Sequence, residues 1–232
     1  MLFASRKEQL FILLGGFFIT NAILGEVIGG KLIAIGPFTM SMGIIPWPIV
    51  FVTTDLINEY FGRTGVKRLT WLTTGLICYL FLMLFISMSV QAAGFSPVSD
   101  EQFSAVFGQS MWIILGSIVA FVSSQFLDVT IFWLLREKTG PKMIWLRATG
   151  STVFSQLIDT FIVVGIGFYL PGKLGLTEYI NVSLTGYSFK LMVAVGLTPL
   201  IYLGHSIIDR YLGKEADKII EKAADESLHP NH

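Results

Sequence analysis

The sequence predicts an all-α membrane protein: a bundle of six transmembrane helices with both termini in the cytoplasm. Three observations carry that prediction. The chain is 53% hydrophobic and only 14% charged, with a mean hydropathy of +0.69, more apolar matter than 232 residues can hide in a soluble core. Runs of about twenty mainly apolar residues recur, each long enough to cross a ~30 Å hydrocarbon layer at ~1.5 Å per helical residue. Lysine and arginine, which are retained on the cytoplasmic side, fall at alternate ends of these runs.

The six runs cover residues 9–29, 46–61, 69–92, 111–135, 148–170 and 187–209. The first follows Arg6 and Lys7, as a signal peptide would, but it continues through Asn21 and Glu26 without a small-residue cleavage site and is expected to remain as a span. Residues 29–48 are apolar but broken by four glycines and three prolines. Such a segment cannot be a continuous helix facing lipid, and it is expected to be extended or re-entrant, outside and packed against protein. Arg63, Lys67 and Arg68 follow the second run, and Cys78 lies in the third with no partner for a disulfide. A polar outer loop with a turn of surface helix is expected over residues 99–110. Arg136, Lys138, Lys142 and Arg147 separate the fourth and fifth runs, and Arg210, Lys214, Lys218 and Lys222 follow the sixth. In all, 13 of the 16 basic residues fall on one side, and of the others Lys31 and Lys173 lie on the opposite side and Lys190 near the outer end of the sixth span.

The chain divides into a transport domain over residues 1–212 and a short cytoplasmic tail over 213–232. In the tail Ala216, Ile219, Ile220 and Ala223 share one face of an amphipathic helix. His229 and His232 end it too sparsely to hold a metal, and no cofactor is expected. GEVIG, residues 25–29, has the GxxxG spacing of paired membrane helices, which leaves a homodimer open.

Polar residues recur at one depth. Ser-Gln-Phe-Leu-Asp at 124–128 is echoed by Ser-Gln-Leu-Ile-Asp at 155–159, 31 residues on. Asp128 lies eight residues from Arg136 and Asp159 twelve from Arg147, hence roughly 12 and 18 Å inside. Asp55, eight residues before Arg63, matches Asp128, and Glu59 lies one turn nearer the cytoplasm on the same face. Asn21, Gln125 and Gln156 fall in the same layer. A carboxylate at helix centre costs about 2.5–3.5 kcal/mol, so three of them cost on the order of 8–10 kcal/mol if ionised and unpaired, as much as a whole domain's stability. Ser124 and Ser155 fit hydrogen-bonded helix packing. The aspartates fit it poorly, because the basic residues are expected to lie near the two membrane surfaces. They point to a polar solute, a proton or water in a central cavity.

The residues at 46–62, PWPIVFVTTDLINEYFG, carry the pattern T-D-[ILV]-[IL]-N-E-x-[YF]-G after a proline-led start. With SQFLD, then WLR followed by Ser151 and Thr152, then SQLID, the chain resembles the queuosine-precursor transporters, also called the vitamin-uptake-transporter family. The resemblance runs from the first span almost to the tail. It implies six membrane helices, the bacterial inner membrane, and import of deazaguanine bases, such as 7-cyano-7-deazaguanine and 7-aminomethyl-7-deazaguanine, for queuosine salvage in tRNA modification. It marks Asp55, Asn58, Glu59, Gln125, Asp128, Gln156 and Asp159 as its characteristic polar positions, to which depth adds Asn21 as a substrate-binding residue. Near Lys31 this chain has Gly30 where members often have Asn. The chemistry agrees: one carboxylate can accept the adjacent ring N–H and exocyclic amine of a deazaguanine, Gln can serve its other edge atoms, and Trp47, Phe51 or Phe126 could stack on the ring. The partners are then the lipid bilayer and a small-molecule base, with no nucleic acid. Two rivals stand beside this reading. A substrate-binding subunit of an energy-coupling-factor importer would draw on ATP through partners, since the chain has no phosphate-binding loop. An intramembrane aspartyl hydrolase would need a GxGD context that the sequence lacks, so the chain is expected not to be an enzyme.

Overall fold

Ser5 opens the first helix with a reciprocal cap. Its hydroxyl accepts from the Glu8 N–H and its own N–H donates to the Glu8 carboxylate, each at 3.2 Å. From there α1 runs Arg6–Ile28. The computed structural model describes residues 5–28, 31–35, 38–108, 111–139 and 143–228. The segment after α1 takes the extended form its glycines and prolines suggest: β1 (Leu32–Ile35) pairs antiparallel with β2 (Phe38–Ser41), and a 3-10 turn over Met42–Ile44 leads to α2. Gly25, the first glycine of GEVIG, is used inside the protomer. A Cβ there would stand 3.2 Å from Trp47 Nε1 and 3.6 Å from the Gly43 carbonyl. Gly29 and Gly30 lie outside the described residues, as do Lys142, His229 and His232.

Helix α2 spans Trp47–Ser89 and is broken at Gly62, whose φ of 66° and ψ of −172° belong to a region that only glycine occupies readily. The contacts on either side show what the break does. Trp47 lies beside Gly25, and Phe61 meets Phe11 with ring centroids 4.9 Å apart. Past the break Gly65 again faces Phe11, and Leu69 packs on Gly15. Residues 47–61 therefore run down α1, and residues 63–89 run back up it. The second and third apolar runs read from the sequence lie on these two limbs, on either side of Gly62.

A surface helix, α3 (Asp100–Phe107), is closed by a capping box between Ser99 and Gln102. It is followed by α4 (Met111–Thr139) and α5 (Ile144–Val164), the latter extended by a π turn over Gly165–Tyr169. Helix α6 (Leu176–Gly196) meets α7 (Thr198–Leu212) at a bend placed by Pro199 in the first turn of α7. Here the structure departs from the sequence reading, which began the sixth span at residue 187. The polar Thr177, Glu178, Asn181 and Ser183 dilute the hydropathy of the first turns of α6 and hide them. Among the described residues, four helices are individually long and apolar enough to cross a membrane, Arg6–Ile28, Trp47–Ser89, Leu115–Thr139 and Thr149–Tyr169, and the pair Leu176–Val193 and Thr198–Ser227, bent by 43°, makes a fifth if taken as one span.

The two ends of this bundle meet. Arg6 Nη1 donates to the Tyr211 carbonyl at 3.0 Å and Tyr211 Oη donates to Gln9 Oε1 at 2.6 Å. Helix α8 (Ala216–Leu228) then folds under α2. Ala216 and Ala223 are buried, with Ile219 and Ile220 packed on the core. Ser227 Oγ accepts the Arg63 N–H at 3.1 Å, so the tail satisfies a backbone donor next to the break at Gly62.

Candidate functional site

Eight consecutive residues of α2, 53–60, are all buried. A helix buried all round is enclosed by other helices rather than lying at a surface, and this one carries Asp55, Asn58 and Glu59 into the centre of the bundle. Helices α4 and α5 supply the two SQ..D motifs. Ser155 Oγ donates to Asp128 Oδ1 at 3.1 Å, joining the first residue of one motif to the last of the other. In an antiparallel pair, the register that sets Ser155 beside Asp128 sets Ser124 beside Asp159. The repeat is thus a local two-fold arrangement across the α4–α5 contact, but only one of its two bonds forms. Ser124 turns to the Phe121 carbonyl of its own helix at 3.2 Å, and Asp159 is taken by Lys190 of α6, with Nζ to Oδ2 at 2.6 Å.

That ion pair corrects the expectation that no basic side chain reaches the aspartates. Lys190 stands 14 residues into α6, or roughly 21 Å along it, and so reaches the mid-bundle level. Glu59 is likewise paired, with Arg136 Nη1 at 2.6 Å and Arg147 Nη2 at 3.0 Å. All three side chains are buried, Arg147 completely. The clamp draws α2, α4 and α5 together at the end where Arg6 meets Tyr211. Next to it Tyr60 Oη donates to Asp209 Oδ1 at 2.6 Å and lies 3.0 Å from His205 Nδ1. A phenol has one proton, and here Asp209 receives it. His205 Nδ1 must therefore carry the proton it shares with Tyr60.

Two small cavities, each of ≈ 10 Å³ and so room for about one water, lie at the aspartate level. One is lined by Asp55, Thr149 and Thr152 with Leu197 and Ile201, the other by Gln125, Asp128, Ser155 and Gln156, and Phe51 borders both. The buried polar atoms around them are the telling feature. Asp55 Oδ1, Gln125 Oε1 and Gln156 Oε1 have no hydrogen-bond partner among the described residues, although buried polar groups are nearly always paired. Asn58 is also buried with neither amide atom partnered, but it borders neither cavity. Asn21 borders neither cavity, and its amide donates to the Phe17 carbonyl of its own helix at 2.9 Å.

Of the residues read from the sequence, the structure brings Asp55, Gln125, Asp128 and Gln156 around Phe51, with Asp159 tied to Lys190 and Glu59 locked between two arginines. Thr149, Thr152 and the roles of Arg136, Arg147 and Lys190 were missed. A lysine inside an apolar span is itself a signal, and Lys190 carried it. Among the described residues no cluster of three metal-ligating side chains forms.

Several helices apolar and long enough to cross a membrane, enclosing a layer of buried polar groups, define a multi-pass membrane protein. The particular family follows from similarity. Residues 41–204 match the family described as "Putative vitamin uptake transporter", and the chain belongs to it. It is 28% identical over 204 residues to a "Probable queuosine precursor transporter" of Bacillus subtilis (strain 168), covering 87% of this chain and 86% of that one. It is 28% identical over 162 residues to a "Queuosine precursor transporter" of Escherichia coli (strain K12), covering 68% and 69%. A Haemophilus influenzae protein named "Probable queuosine precursor transporter" is 26% identical over 174 residues, covering 71% and 70%. No solved structure matches the chain.

Proposed function

We propose that this protein imports queuosine precursors, deazaguanine bases such as 7-cyano-7-deazaguanine and 7-aminomethyl-7-deazaguanine, across the bacterial inner membrane. The names of its relatives support the solute class. The observation that carries the reading at the site is the set of unpartnered buried acceptors, Asp55 Oδ1, Gln125 Oε1 and Gln156 Oε1, arranged on either side of an aromatic ring. A deazaguanine offers what they lack: adjacent N–H donors for a carboxylate, further edge atoms for glutamine amides, and a flat face for Phe51. Asp55, Gln125, Asp128, Gln156 and Asp159 contact the solute in this proposal, with Asn58 and Asn21 lining its path and Glu59 holding the helices around it. Each cavity is far smaller than a base, so the present conformation is closed and binding joins the two by displacing Phe51.

The proposed topology has six spans, counting residues 47–61 and 63–89 separately and α6 with α7 as one. The reversal at Gly62 and the meeting of Arg6 with Tyr211 support it, and the distribution of basic residues supports a cytoplasmic location for both termini. Residues 1–212 form the transport domain and 213–232 the cytoplasmic tail. Uptake of labelled base into liposomes containing only the purified protein, without ATP, tests the function. Accumulation supports a self-sufficient carrier. Binding of the base without any uptake would instead favour the energy-coupling-factor subunit, and neither binding nor uptake would remove the reading.

A further inference from the structure

Lys190 lies outside the set of groups proposed to contact the solute, yet it holds one of them. Its ammonium is 2.6 Å from Asp159 Oδ2, and both side chains are largely shielded, 22% and 12% exposed. Two features make this pair unlike the rest of the polar core. First, the register of the SQ..D repeat offers Asp159 a rigid partner in Ser124, as Asp128 has in Ser155, and that bond is not made; Ser124 stays on the Phe121 carbonyl. Asp159 is held instead by a four-carbon flexible arm that can leave without moving a backbone. Second, the pair has an acid of another helix near it. Glu26 of α1 lies within electrostatic reach of both Lys190 and Asp159 and is itself held by Ser117, whose Oγ is 2.6 Å from each carboxylate oxygen.

An ammonium presents N–H donors to a carboxylate, as does the donor edge of an aminopyrimidinone ring. We propose that Lys190 is a tethered stand-in for the solute: it neutralises Asp159 in the empty carrier and yields that carboxylate to the base's N–H groups when the solute enters. The idea rests on the importer reading above. Its consequence concerns the return step. A carrier that has released its solute must reorient empty, and with Lys190 it does so carrying a neutral pair rather than a bare carboxylate. Solute-for-solute exchange needs no empty step and therefore no lysine.

The test compares two assays on purified protein in liposomes: net uptake of labelled deazaguanine into empty vesicles, and exchange of labelled base into vesicles preloaded with unlabelled base. In Lys190→Met and Lys190→Gln alike, net uptake should fall about a hundredfold, the rate equivalent of moving a bare carboxylate through the bilayer centre, while exchange stays within about threefold of the parent. Lys190→Arg, which keeps the charge, should recover net uptake. Net uptake and exchange falling together in both neutral variants, or net uptake staying low in Lys190→Arg, overturns the proposal while leaving the importer intact. A parent protein that moves the base in neither assay removes the importer reading and this proposal with it.

Discussion

Asp55 carries a buried carboxylate oxygen that no described side chain answers, whereas Asp128 is met by Ser155 and Asp159 by Lys190. The three aspartates that looked equivalent in depth therefore behave differently when changed. Asp55→Asn keeps the shape and removes a buried carboxyl group whose ionised form costs about 2.5–3.5 kcal/mol at helix centre, so the variant should melt at the same temperature as the parent or higher. The same change removes an acceptor from the solute and should weaken base binding roughly ten- to a hundredfold, the equivalent of one charge-assisted hydrogen bond of about 1.5–3 kcal/mol. Thermal melting and equilibrium binding measured on the same preparation check both halves. A variant that binds normally but is unstable would make Asp55 a structural residue. Asp159→Asn should be the less stable substitution, because it strands Lys190.

Helices α2, α4 and α5 are joined at one end by a carboxylate held between two guanidinium groups, and α2 is folded back on itself by one glycine. Removing Glu59 leaves Arg136 and Arg147 buried side by side, so Glu59→Gln should lose about 3–5 kcal/mol; a denaturation midpoint equal to the parent's would show that the clamp does not hold the bundle. At the fold-back, Gly62→Ala forces a side chain into a backbone region worth about 1–3 kcal/mol of strain and drives it against Ser227 and Ala223 of α8. Ser227→Ala removes the acceptor of the Arg63 N–H and the hydroxyl's own bond to the Ala223 carbonyl within α8, and should cost about 1 kcal/mol. Limited proteolysis should release the tail in Gly62→Ala more readily than in Ser227→Ala. Equal susceptibility would mean that α8 is held by its apolar face alone.

Taken whole, the molecule should place a reporter fused after residue 228 in the cytoplasm and one inserted near Asp100 outside, since these positions lie at opposite ends of the limb 63–89; the same location for both would contradict a reversal at Gly62. Much of this organisation was legible in the sequence. Hydropathy marked the long apolar helices, Arg63, Lys67 and Arg68 marked the turn inside α2, and the SQ..D echo marked the α4–α5 contact, because each of these is a local signal. The partners of the charged residues were not legible. Beginning the sixth run at residue 187 misplaced Lys190, since α6 begins at Leu176 inside a polar stretch that hydropathy skips, and nothing in one dimension told that two arginines from different helices converge on Glu59. The β1–β2 hairpin also lay beyond reach, as glycines and prolines forbid a helix without choosing among its alternatives. The central claim is that one flat polar base sits among α2, α4 and α5, and a structure of the protein with a bound deazaguanine tests it most directly. The account predicts the ring against Phe51 in a cavity merged from the present two, with Asp55, Asp128 and at least one of Gln125 and Gln156 in hydrogen-bond contact; a base bound elsewhere, with these side chains still enclosed around the unmoved Phe51, would contradict it.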